Sequence, residues 1–159
     1  LQIESTNIIN FTFILQVIFV VMKEIKKRSS CPISSYLDIW GDKWSLLIIR
    51  DLMILKQCTY GDFLKSDEKI ATNILASRLL MLEENDIIKK AAHPESKAKF
   101  LYTLTEKGID ILPIIVEISI WSDKYIDLPI ERKKLIDEIK KGKEDYVKKS
   151  IKNLKKINT

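Results

Sequence analysis

The chain has 159 residues, a mass of 18.5 kDa and a net charge of +5 at pH 7, from 27 basic and 22 acidic side chains. That length suits one domain, or one domain with an appendage, and a hydrophobic content of 46% is enough for a core. Two cysteines and one histidine exclude a disulfide scaffold and argue against a zinc centre or a catalytic triad built on histidine. Four glycines and four prolines argue against a turn-rich all-β fold. The charge is uneven. Residues 1–128 carry 16 basic and 17 acidic side chains, whereas 129–159 carry 11 and 5. The body is therefore close to neutral and the tail holds the excess. Only Arg28, Arg50, Arg78 and Arg132 are arginines. Lysine is a flexible point charge rather than a planar reader of bases or phosphates, so the tail points to solvation or loose polyanion attraction.

Residues 1–21 are expected to be either sequence translated upstream of a start at Met22 or an extra apolar helix. Ile8 to Met22 is an apolar run of 15 residues. It falls short of the ~20 that a spanning helix needs, so a membrane partner is not expected unless residues 8–22 form an anchor. Next come a short helix from Cys31 to Trp40, a break at Gly41-Asp42, and a strongly apolar helix from Trp44 to about Lys56, with Asp42 as its cap. Cys58 to Gly61 reads as a connection, and Tyr60 to Ser66 as a brief helix. From Ile70 to Glu84 the spacing predicts a helix with Leu75, Leu79 and Leu82 on one face. Its other face carries Thr72, Asn73, Ala76, Ser77 and Leu80. Ile87–Ala92 and Phe100–Leu104 read as two strands around a polar tip, a β-hairpin. Thr105 then caps a helix that is apolar on most sides as far as Tyr125, with a kink at Pro113. Such a helix is deeply buried or shared with another subunit, and a domain this small has little room to bury it. In the tail, two sparse amphipathic helices flank Gly142.

This order gives a fold class: mainly α with a small β-hairpin, a winged helix-turn-helix with N- and C-terminal dimerisation helices. The expected domains are 22–128 as the DNA-binding domain and 129–159 as a basic helical extension. In a helix-turn-helix the second helix enters the DNA major groove and a following hairpin touches the backbone. Asn73 can pair with adenine, while Thr72 or Ala76 can touch a thymine methyl. Ser77 lies on the same face, whose plain alternative is an ordinary solvated helix surface. Arg78 has no acid three or four residues away, so it is expected to bind phosphate or a structural partner. Lys89, Lys90, Lys97 and Lys99 against Glu95 give the hairpin a net +3, a footprint for phosphates. Cys31 precedes a proline at a helix start and follows Lys26, Lys27 and Arg28, the electropositive setting in which reactive cysteines occur. Its plain alternative is a packing residue. Cys58 is expected to be structural. His93 is expected to be a polar surface residue.

Several segments together resemble the HxlR-type winged helix-turn-helix regulators of bacteria. They are Cys31-Pro32-Ile33, Ile39-Trp40-Gly41-Asp42-Lys43-Trp44, Tyr60-Gly61-Asp62-Phe63-Leu64, Leu75-Ala76-Ser77-Arg78-Leu79-Leu80-Met81-Leu82-Glu83 and Tyr102-Thr103-Leu104-Thr105-Glu106-Lys107-Gly108. Trp121 falls where the family's last core helix carries a tryptophan. The hairpin tip Glu95–Lys99 lacks the family's Pro-Pro-Arg run, and the tail is longer than the family's usual ending. The resemblance implies a cytoplasmic, sequence-specific, non-enzymatic transcriptional regulator without a cofactor or metal. It would act as a homodimer on a palindromic double-stranded DNA operator. It also implies sensing of oxidants or electrophiles through Cys31. The operator, the sign of regulation and any small-molecule inducer are not legible. The rival reading is a winged-helix protein–protein adaptor that does not read DNA.

Overall fold

A computed structural model describes residues 29–156, so the expectations for residues 1–21 lie outside the described residues. The chain forms two compact units, Leu1–Asp38 and Ile39–Thr159. The described part of the first is Ser29, Ser30 and Cys31 followed by most of α1 (Pro32–Trp40), with Pro32 at the first helical position. There Ile33, Tyr36 and Leu37 are exposed.

The second unit begins with α2 (Lys43–Leu55). Asp42 caps it as expected: one carboxylate oxygen accepts from the backbone N–H groups of Trp44 (3.0 Å) and Ser45 (3.2 Å). Ile48, Ile49 and Leu52 make α2 the central core helix. It ends at Lys56, which adopts a left-handed φ of 72°.

Where a plain connection is expected from Cys58 to Gly61, Gln57–Thr59 forms a strand, β1. A three-residue strand has no periodicity to detect, and it exists because β3 offers an open edge. Helix α3 (Tyr60–Leu64) follows, and the Asp62 carboxylate reaches back to the Thr59 N–H (2.9 Å) and hydroxyl (2.7 Å). Helix α4 (Thr72–Glu84) buries Leu75, Leu79 and Leu82, the stripe the spacing predicts.

The hairpin is longer than expected. Its strands are β2 (Ile88–His93) and β3 (Ser96–Leu104), so the connection shrinks to Pro94-Glu95 and Lys97 and Lys99 lie within a strand rather than at a tip. The antiparallel sheet has the order β1-β3-β2, with Cys58 opposite Tyr102 and Ile88 opposite Leu104.

Thr105 then caps α5 (Glu106–Ile109). The expected kinked helix is in fact two helices. Pro113 sits at the start of α6 (Leu112–Tyr125), where its missing N–H costs nothing. The tail forms α7 (Ile130–Lys141) and α8 (Lys143–Lys155) on either side of Gly142. Both belong to the second unit. Leu154 joins the main core, and Ile139 packs with Leu112 and Val116 of α6.

Candidate nucleic-acid interface

Helices α3 and α4 are joined by a short turn and held by a bond between their ends. The Tyr60 hydroxyl donates to the Thr72 carbonyl at 2.7 Å. Because Leu75, Leu79 and Leu82 face inward, Thr72, Asn73, Ala76 and Ser77 form one exposed strip, extended by Leu80 at 57% exposure. The helix begins after Ala71, which offers no side-chain cap, so its first-turn N–H groups remain open to a phosphate.

Arg78 stands on the flank of this strip. Its Nε lies 3.0 Å from the Asp42 carboxylate, so the acid missing from its own helix is supplied by the α2 cap. Burial raises the Asp42 carboxyl, but the hydrogen bonds from Ser45 and the neighbouring Arg78 guanidinium outweigh it and the net shift is downward. The cap therefore pins the middle of α4 to the N-terminus of α2. Sequence separation hides this pair, because 35 residues intervene.

A second clamp joins α2 to the turn before α4. Arg50 donates to Asp51 (2.9 and 2.7 Å) and to Glu68 (2.5 Å). Its hydrogen bond holds the Glu68 carboxyl down to about 2, helped by Ser66, and raises Arg50 further above its ordinary value. The sequence offers no signal for this clamp either.

Strand alternation divides the four hairpin lysines. Lys89 faces the same side as Thr103, whereas Lys97 and Lys99 fall in the stretch of β3 between Ser96 and Phe100 where the register with β2 shifts. Lys90 lies opposite Tyr102, on the other face, with its ammonium 4.1 Å from the centre of the Phe100 ring. The structure thus sets Lys90 apart from Lys89 and leaves Lys97 and Lys99 exposed near the end of the hairpin. His93 is half-buried, and its Nδ1 accepts from the Glu95 N–H at 3.1 Å, closing the turn. Among the described residues no group of three His, Cys, Asp or Glu could hold a metal ion.

The two cysteines differ. Cys31 is exposed, and its carbonyl accepts the first helical bond of α1 from the Ser35 N–H at 3.1 Å. Cys58 is buried under the sheet. Burial pushes its thiol up to about 12, with Asp51 and Asp62 adding to the effect.

A profile described as HxlR-like helix-turn-helix matches residues 39–129. The chain belongs to the HxlR-like helix-turn-helix family. Its winged helix-turn-helix architecture is α3, α4 and the β2–β3 hairpin, and as a member of this family it is a DNA-binding transcriptional regulator. The HTH-type transcriptional regulator YodB of Bacillus subtilis is 33% identical over 101 residues, covering 63% of this chain and 89% of YodB. YdeP of the same organism is 32% identical over 97 residues, covering 61% and 75%. Solved structures agree. Reduced YodB is 29% identical, with a TM-score of 0.51, covering 62% of this chain and 97% of that one. The redox regulator HypR in its oxidised form is 26% identical, with a TM-score of 0.55, covering 62% and 100%. YodB also has a quinone-bound structure, 30% identical with a TM-score of 0.51, covering 60% and 100%.

Trp121, expected within the last core helix, is 59% exposed and stacks on Tyr125 with ring centres 4.9 Å apart. Together with Ile114 and Ile118 it forms an exposed stripe at positions i, i+4, i+7 and i+11 of α6. Leu112 and Val116 are buried on another side of α6, packed with Ile139 of the tail. No described helix is long and apolar enough to cross a membrane.

Proposed function

We propose that this regulator works in the cytoplasm as a homodimer, binding a palindromic operator without catalysing a reaction on it. Each α4 lies in a major groove, with Thr72, Asn73, Ala76 and Ser77 against base edges. Lys89, Lys97 and Lys99 neutralise the flanking phosphates. The observation that carries this reading is the exposed strip of α4, left uncapped at its N-terminus while its other face is locked into the core. Arg78 acts chiefly as the strut to Asp42 and keeps the helix at a fixed angle. The α6 stripe from Ile114 to Tyr125 pairs the two subunits and spaces the half-sites about 34 Å apart.

Selection of bound sites from random DNA, followed by gel-shift titration, tests this. A salt-sensitive preference for a palindrome is expected. Replacing Asn73 with Ala should weaken the selected site by roughly 5- to 100-fold. Equal binding to all sequences, unchanged in Asn73→Ala, would support a protein–protein adaptor instead.

Cys31 is the thiol through which an oxidant or electrophile reaches this chain. It is exposed, whereas Cys58 is buried and its thiol is held protonated. Reduced and quinone-bound forms are known for YodB, and an oxidised form for HypR. Benzoquinone should add to Cys31 and not to Cys58, as read by mass spectrometry. The adduct should change operator affinity in the natural chain but not in Cys31→Ser.

A further inference from the structure

A cavity of about 400 Å³ lies between the end of α2, helix α6 and the two tail helices. Its size falls within the roughly 300–1,000 Å³ typical of small-molecule sites. Met53 and Ile54 of α2, Ile115 and Val116 of α6, and Ile136 and Ile139 of α7 supply apolar walls. Half of its lining residues come from the tail, beyond the stretch matched by the family profile.

Arg50, Lys56 and Arg132 line this cavity, and the two arginines differ in state. Arg50 is already held by Asp51 and Glu68, a cluster with one more negative than positive charge. Arg132 is exposed and has no ion pair among the described residues. A guanidinium fork matches a carboxylate through two parallel hydrogen bonds. Lys56, the third cation of the lining, is a point charge without the planar fork that pairs both carboxylate oxygens at once. We propose that this cavity binds a small apolar monocarboxylate. Its ring or chain lies among Val116, Ile136 and Ile139, and its carboxylate pairs with Arg132.

The test uses the full chain without DNA, so its result stands apart from the regulatory reading. Octanoate and its uncharged counterpart 1-octanol are titrated by calorimetry, with Tm followed in parallel. Octanoate should bind once per chain, raise Tm with concentration, and bind roughly tenfold tighter than octanol, as a charge-assisted pair requires. Arg132→Gln should bring octanoate down to the octanol level while leaving octanol binding and the ligand-free Tm unchanged. Leu135→Trp, at a lining position that is itself exposed, should weaken both probes by filling the space. No saturable octanoate binding, or octanoate binding unchanged in both variants, would overturn the proposal. So would octanoate-driven dissociation of a dimer measured by sedimentation, which would give the cavity to a second copy of the chain.

Discussion

Gly108 shows how one residue fixes a junction. A Cβ placed there would meet the Ile87 carbonyl oxygen at 2.1 Å. The same carbonyl accepts from the Thr105 N–H at 3.0 Å, and the Gly108 N–H donates to the Thr105 hydroxyl at 3.1 Å. The Thr-x-x-Gly spacing is therefore the shortest way to turn from β3 into α5 against the start of β2. Gly108→Ala should cost about 3 kcal/mol, because the clash is with backbone that cannot step aside; chemical denaturation would measure it. Acid sensitivity also belongs to single residues. Asp62, held by Thr59, and Glu68, held by Arg50, both titrate near 2 in the folded chain, against ordinary values of 3.8 and 4.5. Their folded-state values are depressed, so their contribution is present above the unfolded values and lost as pH falls through the folded ones. Stability should therefore decline between about pH 4.5 and 2, and Glu68→Gln should flatten part of that slope in a pH series of denaturant midpoints.

At the scale of elements, the hairpin gives the sharper expectation. The register that pairs Lys89 with Thr103 and Lys90 with Tyr102 sends neighbouring lysines to opposite faces. Lys89, Lys97 and Lys99 should each lower the salt slope of operator binding by about one on replacement with alanine. Lys90→Ala should leave that slope nearly unchanged, since its ammonium is held over Phe100. The measurement is log affinity against log salt for the four variants. The pairing α2–α4 follows the same logic. Asp42→Ala removes both the cap of α2 and the partner of Arg78. It should cost about 2 kcal/mol or more in stability, because the cap alone is worth about 1.

Across the second unit, the tail is part of the domain it follows. Leu154 enters the main core and Ile139 meets α6. The lysines are not merely solvated. Lys133 pairs with Asp127, Lys140 with Asp123, Lys143 with Glu117 and Lys155 with Glu106. Leu154→Ala should destabilise by about 3 kcal/mol, as a buried leucine does, whereas a frayed helix would lose almost nothing. In the proposed homodimer, assembly rests on the α6 stripe that the tail leaves uncovered. Trp121→Glu places a charge in the exposed α6 stripe and should yield a monomer by sedimentation with its thermal stability nearly unchanged.

Sequence alone determined most of the helices and the existence of the hairpin, because local chemistry sets them. The leucine spacing from Leu75 to Leu82, the cap at Asp42 and the break at Gly142 each act within a few residues of themselves. It also determined the winged order, and with it the strip from Thr72 to Ser77. Only the tertiary structure decided the partners that lie far apart in the chain. Arg78 finds Asp42, Arg50 finds Glu68, and Gln57–Thr59 becomes a strand because β3 has an open edge. Tertiary structure also revised the meaning of the +5. The tail that carries the excess uses part of it to bind acids of Glu106–Asp127, while Arg132, without an ion pair among the described residues, lines an apolar cavity. The physical reason is range. Periodicity and caps are written within one or two helical turns, whereas ion pairs and cavities depend on which surfaces meet after the chain has folded.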